Sequence, residues 1–128
     1  MDDSGIPIRP EKALHPRAVK PPLEKTIVAN GMKVARSLGW WCMKVVGNSH
    51  MPTGIPDVLA IKGGHAVWME FKRPGCDPTR IQLHRLKELE GAGCTTAVVR
   101  SAGEVREVLV GTERLMDLNA AGGRYELP

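Results

Sequence analysis

The chain has 128 residues, of which 25% are charged and 42% are hydrophobic, and this composition is typical of one soluble globular domain. Eighteen Lys and Arg against fourteen Asp and Glu give a net charge of +4, which excludes an acidic tail protein and favours a polyanionic partner. The sequence predicts neither a membrane span nor a secretory signal. Its three widely spaced cysteines fit a reducing cytoplasm better than a disulfide scaffold or a zinc site.

The two ends of the chain differ from its middle. Residues 1–21 contain four prolines, mixed charges and few large apolar groups. Such a segment cannot bury enough apolar surface to offset the entropy of ordering it. We therefore predict a mobile N-terminal arm over residues 1–21, a folded domain over residues 22–120, and a loose C-terminal tail over residues 121–128.

The first helix is predicted from Pro22 to Leu38, because proline is tolerated at the first helical position. Apolar residues recur along it at helical spacing, and Gly39 is typical of a helix end. Asn30-Gly31 is the point at which this helix can break. Residues Trp40–Val46 then form a β-type apolar run, and Gly47–Pro56 is predicted to be a loop.

A β-hairpin is predicted next. Asp57–Lys62 and His65–Lys72 have strand-like patterns, and Gly63-Gly64 supplies the two-residue turn between them.

The last third of the chain alternates helix and strand. Asp77 is predicted to cap a helix that starts at Pro78 and ends near Gly91 or Gly93. Cys94–Arg100 is a further β run. Ser101 and Glu104 have the spacing of a capping box for the following helix, and Thr112–Ala120 is predicted as a last short helix. The order α-β-β-β-α-β-α predicts an α/β fold, a mixed β-sheet flanked by helices.

The hairpin brings two carboxylates and a lysine together. With Gly63-Gly64 as the turn, Asp57 lies directly opposite Glu70, and Lys72 shares their face. Facing carboxylates repel each other, and a hard divalent cation with oxygen ligands would offset that repulsion. Such a cation can activate water and bind phosphate, so the group has the parts for phosphodiester hydrolysis. The alternative is an ordinary hairpin whose lysine forms a surface ion pair.

Three segments resemble a known family: Gly54-Ile55-Pro56-Asp57, then Glu70-Phe71-Lys72, then a helix carrying Gln82. They are similar to the PD-(D/E)xK nuclease superfamily, and most closely to its VRR-NUC branch, over about residues 22–110. The resemblance implies a restriction-endonuclease-like fold in which Asp57 and Glu70 bind Mg²⁺ or Mn²⁺. It also implies that the backbone carbonyl of Phe71 completes the metal shell and that Lys72 is catalytic.

Two further residues fit the family pattern. The resemblance implies that Glu24, on the first helix, acts through a metal-bound water, although an acidic residue there also favours the helix dipole. Gln82 lies on the same helical stripe as Leu86 and Leu89. A polar amide on such a stripe needs a partner, which the acidic site would supply; the alternative is an amide that caps a loop carbonyl.

The predicted function is a metal-dependent DNA endonuclease in the cytoplasm of a bacterium or of a phage-infected host. Stand-alone domains of this size resemble phage-encoded dimers that act on branched DNA, so a homodimer selective for Holliday-junction-type DNA is expected. Trp40, Trp41 and the first helix are the predicted interface. Candidate phosphate contacts are Lys44, Lys62, Arg73, Arg80 and Arg85. The alternatives are a flap or general nuclease, a non-catalytic nucleic-acid-binding module, and an interaction domain with a coincidental motif.

Overall fold

The computed structural model describes residues 22–122, with side chains described to residue 120. The predicted N-terminal arm lies outside the described residues. So does the predicted tail 121–128 except for residues 121–122, which belong to the last helix. Residues 22–122 form three helices and four strands in the predicted order. These are α1 (Glu24–Ser37), β1 (Trp41–Lys44), β2 (Val58–Lys62), β3 (His65–Phe71), α2 (Arg80–Gly91), β4 (Thr95–Val99) and α3 (Ala102–Gly122).

The four strands form one mixed sheet in the order β1-β2-β3-β4. β1 and β2 are antiparallel, as are β2 and β3, whereas β3 and β4 are parallel and are connected through α2. The predicted hairpin register is confirmed, because Lys62 pairs with His65 and Val58 pairs with Met69. Gly63 and Gly64 both have positive φ, +58° and +77°, which a turn of this type requires.

The two faces of the sheet are covered differently. Alternate strand residues, such as Val58, Val67 and Phe71, are fully buried with the apolar sides of α1 and α3 in one core. α2 lies over the β3–β4 part of the opposite face, where Thr96 of β4 donates a hydrogen bond to Glu90. The opposite face also carries Trp41, Met43, Leu59, Ile61, Ala66 and Trp68. All six of these side chains retain some exposure to solvent.

α1 is continuous through Asn30-Gly31, which does not break it. Gly31 is buried against the sheet, and a Cβ atom there would lie 2.7 Å from the ring of Phe71 and 3.0 Å from Val105. Glycine is required at this point by the close approach of α1 to the core. The helix begins at Glu24, two residues after the predicted start, and its C-terminal turn leads into Gly39 with φ of +87°.

The predicted cap of α2 is wrong. The helix begins at Arg80, and its cap is Thr79, whose hydroxyl accepts a hydrogen bond from the N–H of Gln82. Asp77 instead forms an ion pair of 3.2 Å with Arg100, which also donates to the carbonyl of Cys76. Asp77 and Thr79 are both good capping residues and lie close together. Asp77 pairs with Arg100, which is 23 positions away, and Thr79 caps the helix.

The predicted separate helix at Thr112–Ala120 is also wrong, because α3 is one helix of 21 residues. Its predicted cap is present, since the hydroxyl of Ser101 accepts from the N–H of Glu104. The helix continues through Gly111 because a glycine in a helix interior costs only about 1 kcal/mol, which the packing of the flanking turns offsets. Buried residues on both sides, Leu109 and Thr112, keep α3 against the sheet.

A polar cluster joins α1, β2 and α3 at the end of the sheet that carries the Gly63-Gly64 turn. Glu113 accepts a 2.7 Å bond from the indole of Trp40 and a 3.0 Å bond from Lys62, which also donates to the carbonyl of Leu38. These two donors lower the pKa of Glu113. Trp40 is only 2% exposed, so it belongs to the core and not to the predicted interface. Within the described residues, no helix is long and apolar enough to span a membrane.

Candidate active site

Asp57 immediately precedes β2, and hydrogen bonds to both neighbouring strands hold it in place. Its carboxylate oxygen Oδ2 accepts a 2.7 Å bond from the backbone N–H of Phe71. Its backbone carbonyl accepts a 2.7 Å bond from the N–H of Val45, just after β1. Pro56, the residue before it, is fully buried. The orientation of the Asp57 carboxylate is therefore set by the backbone of the sheet.

Glu70 lies opposite Asp57 at the end of β3, as the hairpin register predicts. Its side chain is 1% exposed, yet neither of its carboxylate oxygens has a hydrogen-bond partner among the described residues. Lys72 places Nζ 3.6 Å from Oε2 of Glu70, which is an ion pair too long to be a hydrogen bond. A buried carboxylate without hydrogen-bond donors is costly, and such a group needs a cation or a proton.

The surroundings of Glu70 raise its pKa from 4.5 to about 7. Burial is the main cause, and the negative charge of Asp57 adds to it; Lys72 acts in the opposite direction. A proton on Glu70 would also allow a hydrogen bond between the two carboxyl groups, which two ionised carboxylates cannot form. A metal-free site therefore holds a proton on Glu70 close to neutral pH.

The residues present fit a divalent cation. Two adjacent carboxylates offer oxygen ligands, and among the described residues neither oxygen of Glu70 has a hydrogen-bond partner. Among residues 22–122, no three His, Cys, Asp or Glu side chains lie close enough together to form a ligand set by themselves. A cation bound by Asp57 and Glu70 would therefore need backbone or water oxygens as well. The predicted contribution of the Phe71 carbonyl would supply one of them.

Glu24, the first residue of α1, is close enough to Glu70 to act on its charge. It is half-buried, and its negative charge contributes to the raised pKa of Glu70. Glu24 therefore adds negative charge to the site, which is consistent with the predicted action through a metal-bound water.

Gln82 has a different partner from the one predicted. Its side-chain oxygen accepts a 2.8 Å hydrogen bond from the backbone N–H of Thr79 and completes the capping box of α2. The structure gives Gln82 a capping role, and the prediction that it acts in the acidic site has no contact in its support. A Thr-x-x-Gln spacing was the sequence signal for this role.

The five candidate phosphate contacts differ in their surroundings. Lys62 is bound within the polar cluster, and Arg85 donates to the carbonyl of Thr53 and pairs with Glu88, so both have structural partners. Lys44 and Arg80 are exposed at the ends of β1 and α2, and Arg73 is half-buried directly after Lys72. The exposed pair remains available for phosphate.

Loop 47–56 has a role that its sequence did not reveal. Several of its residues, together with Val45 and Asp57, line a cavity of about 440 Å³. Glycine and proline mark the segment as a loop, but nothing in their spacing indicates a cavity.

No protein-family model and no curated protein sequence matches the chain. A solved structure described as a VRR_NUC domain is similar to it, with a TM-score of 0.59 and 22% sequence identity. The similarity covers 67% of this chain and 92% of the other. The order of elements, the mixed sheet and this similarity agree with one another. The chain therefore has the restriction-endonuclease-like fold of a VRR-NUC domain, as its motifs implied.

Proposed function

We propose that the chain is a metal-dependent endonuclease that hydrolyses phosphodiester bonds in DNA. The observation that carries this proposal is the pairing of Asp57 with Glu70 beside Nζ of Lys72. In the described part of the chain, the two buried oxygens of Glu70 have no hydrogen-bond partner. The VRR-NUC-like fold supports the proposal. The sequence motifs Gly54-Ile55-Pro56-Asp57 and Glu70-Phe71-Lys72 support it separately, because they resemble those of that nuclease family.

Asp57 and Glu70 are the proposed ligands of Mg²⁺ or Mn²⁺, with the Phe71 carbonyl in the metal shell and Glu24 acting through a water. A cation held there would supply positive charge to the phosphate and acidify a nearby water. The Phe71 N–H keeps the Asp57 carboxylate oriented, and burial keeps bulk water away from Glu70.

Lys72 is the proposed catalytic lysine. Its side chain is 14% exposed and its Nζ lies beside Glu70, so the amine is held at the acidic site and is not free in solvent. From this position Nζ can hydrogen-bond to the attacking water or to a phosphate oxygen. Either contact would orient the reaction or stabilise the charge that develops on the phosphate.

We further propose that the substrate is branched DNA, that Holliday-junction-type DNA is preferred, and that the enzyme is a homodimer. The net charge of +4 favours a polyanion. A four-way junction has two-fold symmetry, and a C₂ dimer presents two sites to its opposed strands. Trp41 is 58% exposed on the edge strand β1, which leaves an apolar surface for a second copy.

A panel of labelled four-way, flap, duplex and single-stranded DNAs, each with Mg²⁺ and with EDTA, tests the function. We expect cleavage only with Mg²⁺ and fastest on the four-way junction. Preferred cleavage of the flap would support the flap nuclease, and equal cleavage of all forms would support the general nuclease. Binding without any cleavage would support the non-catalytic module.

The same panel identifies the catalytic residues. Asp57→Ala, Glu70→Ala and Lys72→Ala are each expected to lose most cleavage while they keep the circular dichroism spectrum of the folded protein. Glu107→Gln, an exposed acid on α3, is the matched control and should cleave normally. Full cleavage by Lys72→Ala would remove the lysine from the mechanism.

A further inference from the structure

A cavity of about 440 Å³ lies beside Asp57, and we call it the loop cavity. It is lined by Val45, by residues of loop 47–56 and by Asp57 itself. This volume falls within the range of about 300–1,000 Å³ that is usual for sites that bind small molecules. Because Asp57 belongs both to the cavity and to the acidic pair, a group bound in the cavity would lie next to a phosphate held at the proposed active site.

Contacts from α2 hold the outer wall of the loop cavity. Arg85 donates a 2.8 Å hydrogen bond to the carbonyl of Thr53. Gly54 has φ of +85°, and a Cβ atom there would lie 3.0 Å from the side chain of Ile81 and 3.1 Å from its backbone. At the other end of the loop, the side chain of Asn48 accepts a bond from the N–H of His50. The wall is thus held against α2 by a hydrogen bond and stabilised at its other end by the turn at Asn48.

The chemistry of the lining favours an uncharged ligand. Among the described residues that line the loop cavity, Asp57 carries the only charge, and that charge is negative. None of the described side chains that line the loop cavity is cationic, so the cavity itself offers a phosphate no charged partner. Met51 offers a polarisable apolar surface, and Asn48 and Thr53 are polar without charge. A planar group with hydrogen-bonding edges, such as a nucleobase, matches this lining.

We infer that the loop cavity receives the base of the nucleotide next to the phosphate that is cut, an inference that rests on the proposed DNA endonuclease function. A base can enter only after it leaves the helical stack, and this is least costly where the base is unpaired or mispaired. The substrate class is therefore DNA with an unstacked nucleotide at the cut, as at a branch point. Selection of branched DNA then follows from the loop cavity beside the site.

The binding test uses 2-aminopurine, a base whose fluorescence rises when it leaves the stack. It is placed in turn at each position around the branch of a four-way junction. Glu70→Gln protein in EDTA binds the DNA without cutting it. We expect a several-fold rise in fluorescence at one position only, and loss of that rise when Gly47→Trp is added. The inference would be overturned if no position responds, or if the response is undiminished when Gly47→Trp is added.

Gly47→Trp is suited to blocking the loop cavity. Gly47 lines the cavity, its φ lies outside the left-handed region, and an added Cβ atom meets nothing within 4 Å. Val46→Trp is the matched control, because Val46 is 75% exposed and does not line the cavity. Met51→Ala, which removes the apolar surface without filling the space, is a second variant that should also reduce the fluorescence response.

The cleavage test uses the same junction with an abasic residue at the responding position. Gly47→Trp should slow cleavage of the intact junction by about tenfold and leave cleavage of the abasic junction nearly unchanged. Equal loss on both junctions would overturn the inference. If wild-type protein binds DNA but cuts none, the proposed function fails, and the fluorescence test still decides the use of the cavity. If no DNA binds, both fail.

Discussion

The backbone N–H of Phe71 donates a 2.7 Å hydrogen bond to Oδ2 of Asp57. This bond joins the residue before β2 to the last residue of β3. The facing carboxylate of Glu70 has no hydrogen-bond donor within residues 22–122. One acid of the pair is therefore oriented by a hydrogen bond, and the other is buried with the 3.6 Å ion pair to Lys72 beside it. An ionised Glu70 in this position lowers the stability of the fold unless a cation or a proton offsets its charge.

The first prediction is that Glu70→Gln stabilises the metal-free protein at alkaline pH. The raised pKa of Glu70 means that the folded protein keeps a proton which the unfolded chain releases above pH 4.5. The stability from this group is fully present below pH 4.5 and is lost as the pH rises through about 7. A shift of this size corresponds to about 3 kcal/mol.

Urea unfolding in EDTA at pH 5 and pH 8 measures this effect. The variant should exceed wild type mainly at pH 8, and Glu107→Gln should match wild type at both values. A gain of the same size at pH 5 and pH 8 would mean that the charge of Glu70 is not its cause.

The second prediction concerns the binding of Mn²⁺. A proton competes with a cation for Glu70, so affinity for Mn²⁺ should rise by about tenfold per pH unit below pH 7 and level off above it. Asp57→Ala and Glu70→Ala should each abolish binding, whereas Lys72→Ala should retain it. Calorimetric titration between pH 5.5 and 8.5 provides the measurement. Unchanged binding by Glu70→Ala would contradict the assignment of Glu70 as a ligand.

The acidic pair was predictable from sequence because local geometry determines it. A two-residue glycine turn fixes the register of a hairpin, and the register alone places Asp57 opposite Glu70. The element order followed in the same way from periodicity and turn residues, and the fold class was correct.

Other features depend on residues far apart in sequence, and the sequence did not reveal them. Lys62 and Arg85 were expected to contact phosphates. Instead, Lys62 donates to the carbonyl of Leu38, 24 positions away, and Arg85 donates to the carbonyl of Thr53, 32 positions away. The pattern at Trp40-Trp41 did not indicate which ring is buried, and Glu113 of α3 decides it by accepting from Trp40. Tertiary partners of this kind leave no local signal.

The third prediction compares two glycines within helices. Gly31→Ala should destabilise the protein by about 1–3 kcal/mol, because its Cβ atom would overlap the buried ring of Phe71. Gly111→Ala should stabilise it by up to about 1 kcal/mol, because Gly111 is exposed within α3 and its Cβ atom meets nothing within 4 Å. Thermal unfolding of both variants in one buffer tests the pair. A stabilising Gly31→Ala would show that α1 can move away from the sheet at little cost.

The fourth prediction concerns assembly. The buried residues of α1 face the core and Trp40 is buried, so the predicted interface shrinks to the edge strand β1, where Trp41 and Met43 are exposed. An open strand edge with apolar side chains favours pairing with another copy. Sedimentation at micromolar concentration should therefore give about twice 13.9 kDa for wild type.

Trp41→Glu separates this surface from other exposed apolar groups. It places a charge at the centre of the β1 surface and should give the monomer mass, whereas Leu118→Glu, at an equally exposed position on α3, should leave the dimer intact. If dimerisation places two sites on one junction, Trp41→Glu should also cut one strand per binding event and not two opposed strands. A wild-type monomer, alone and with four-way DNA, would reject the dimer and favour the flap or general nuclease.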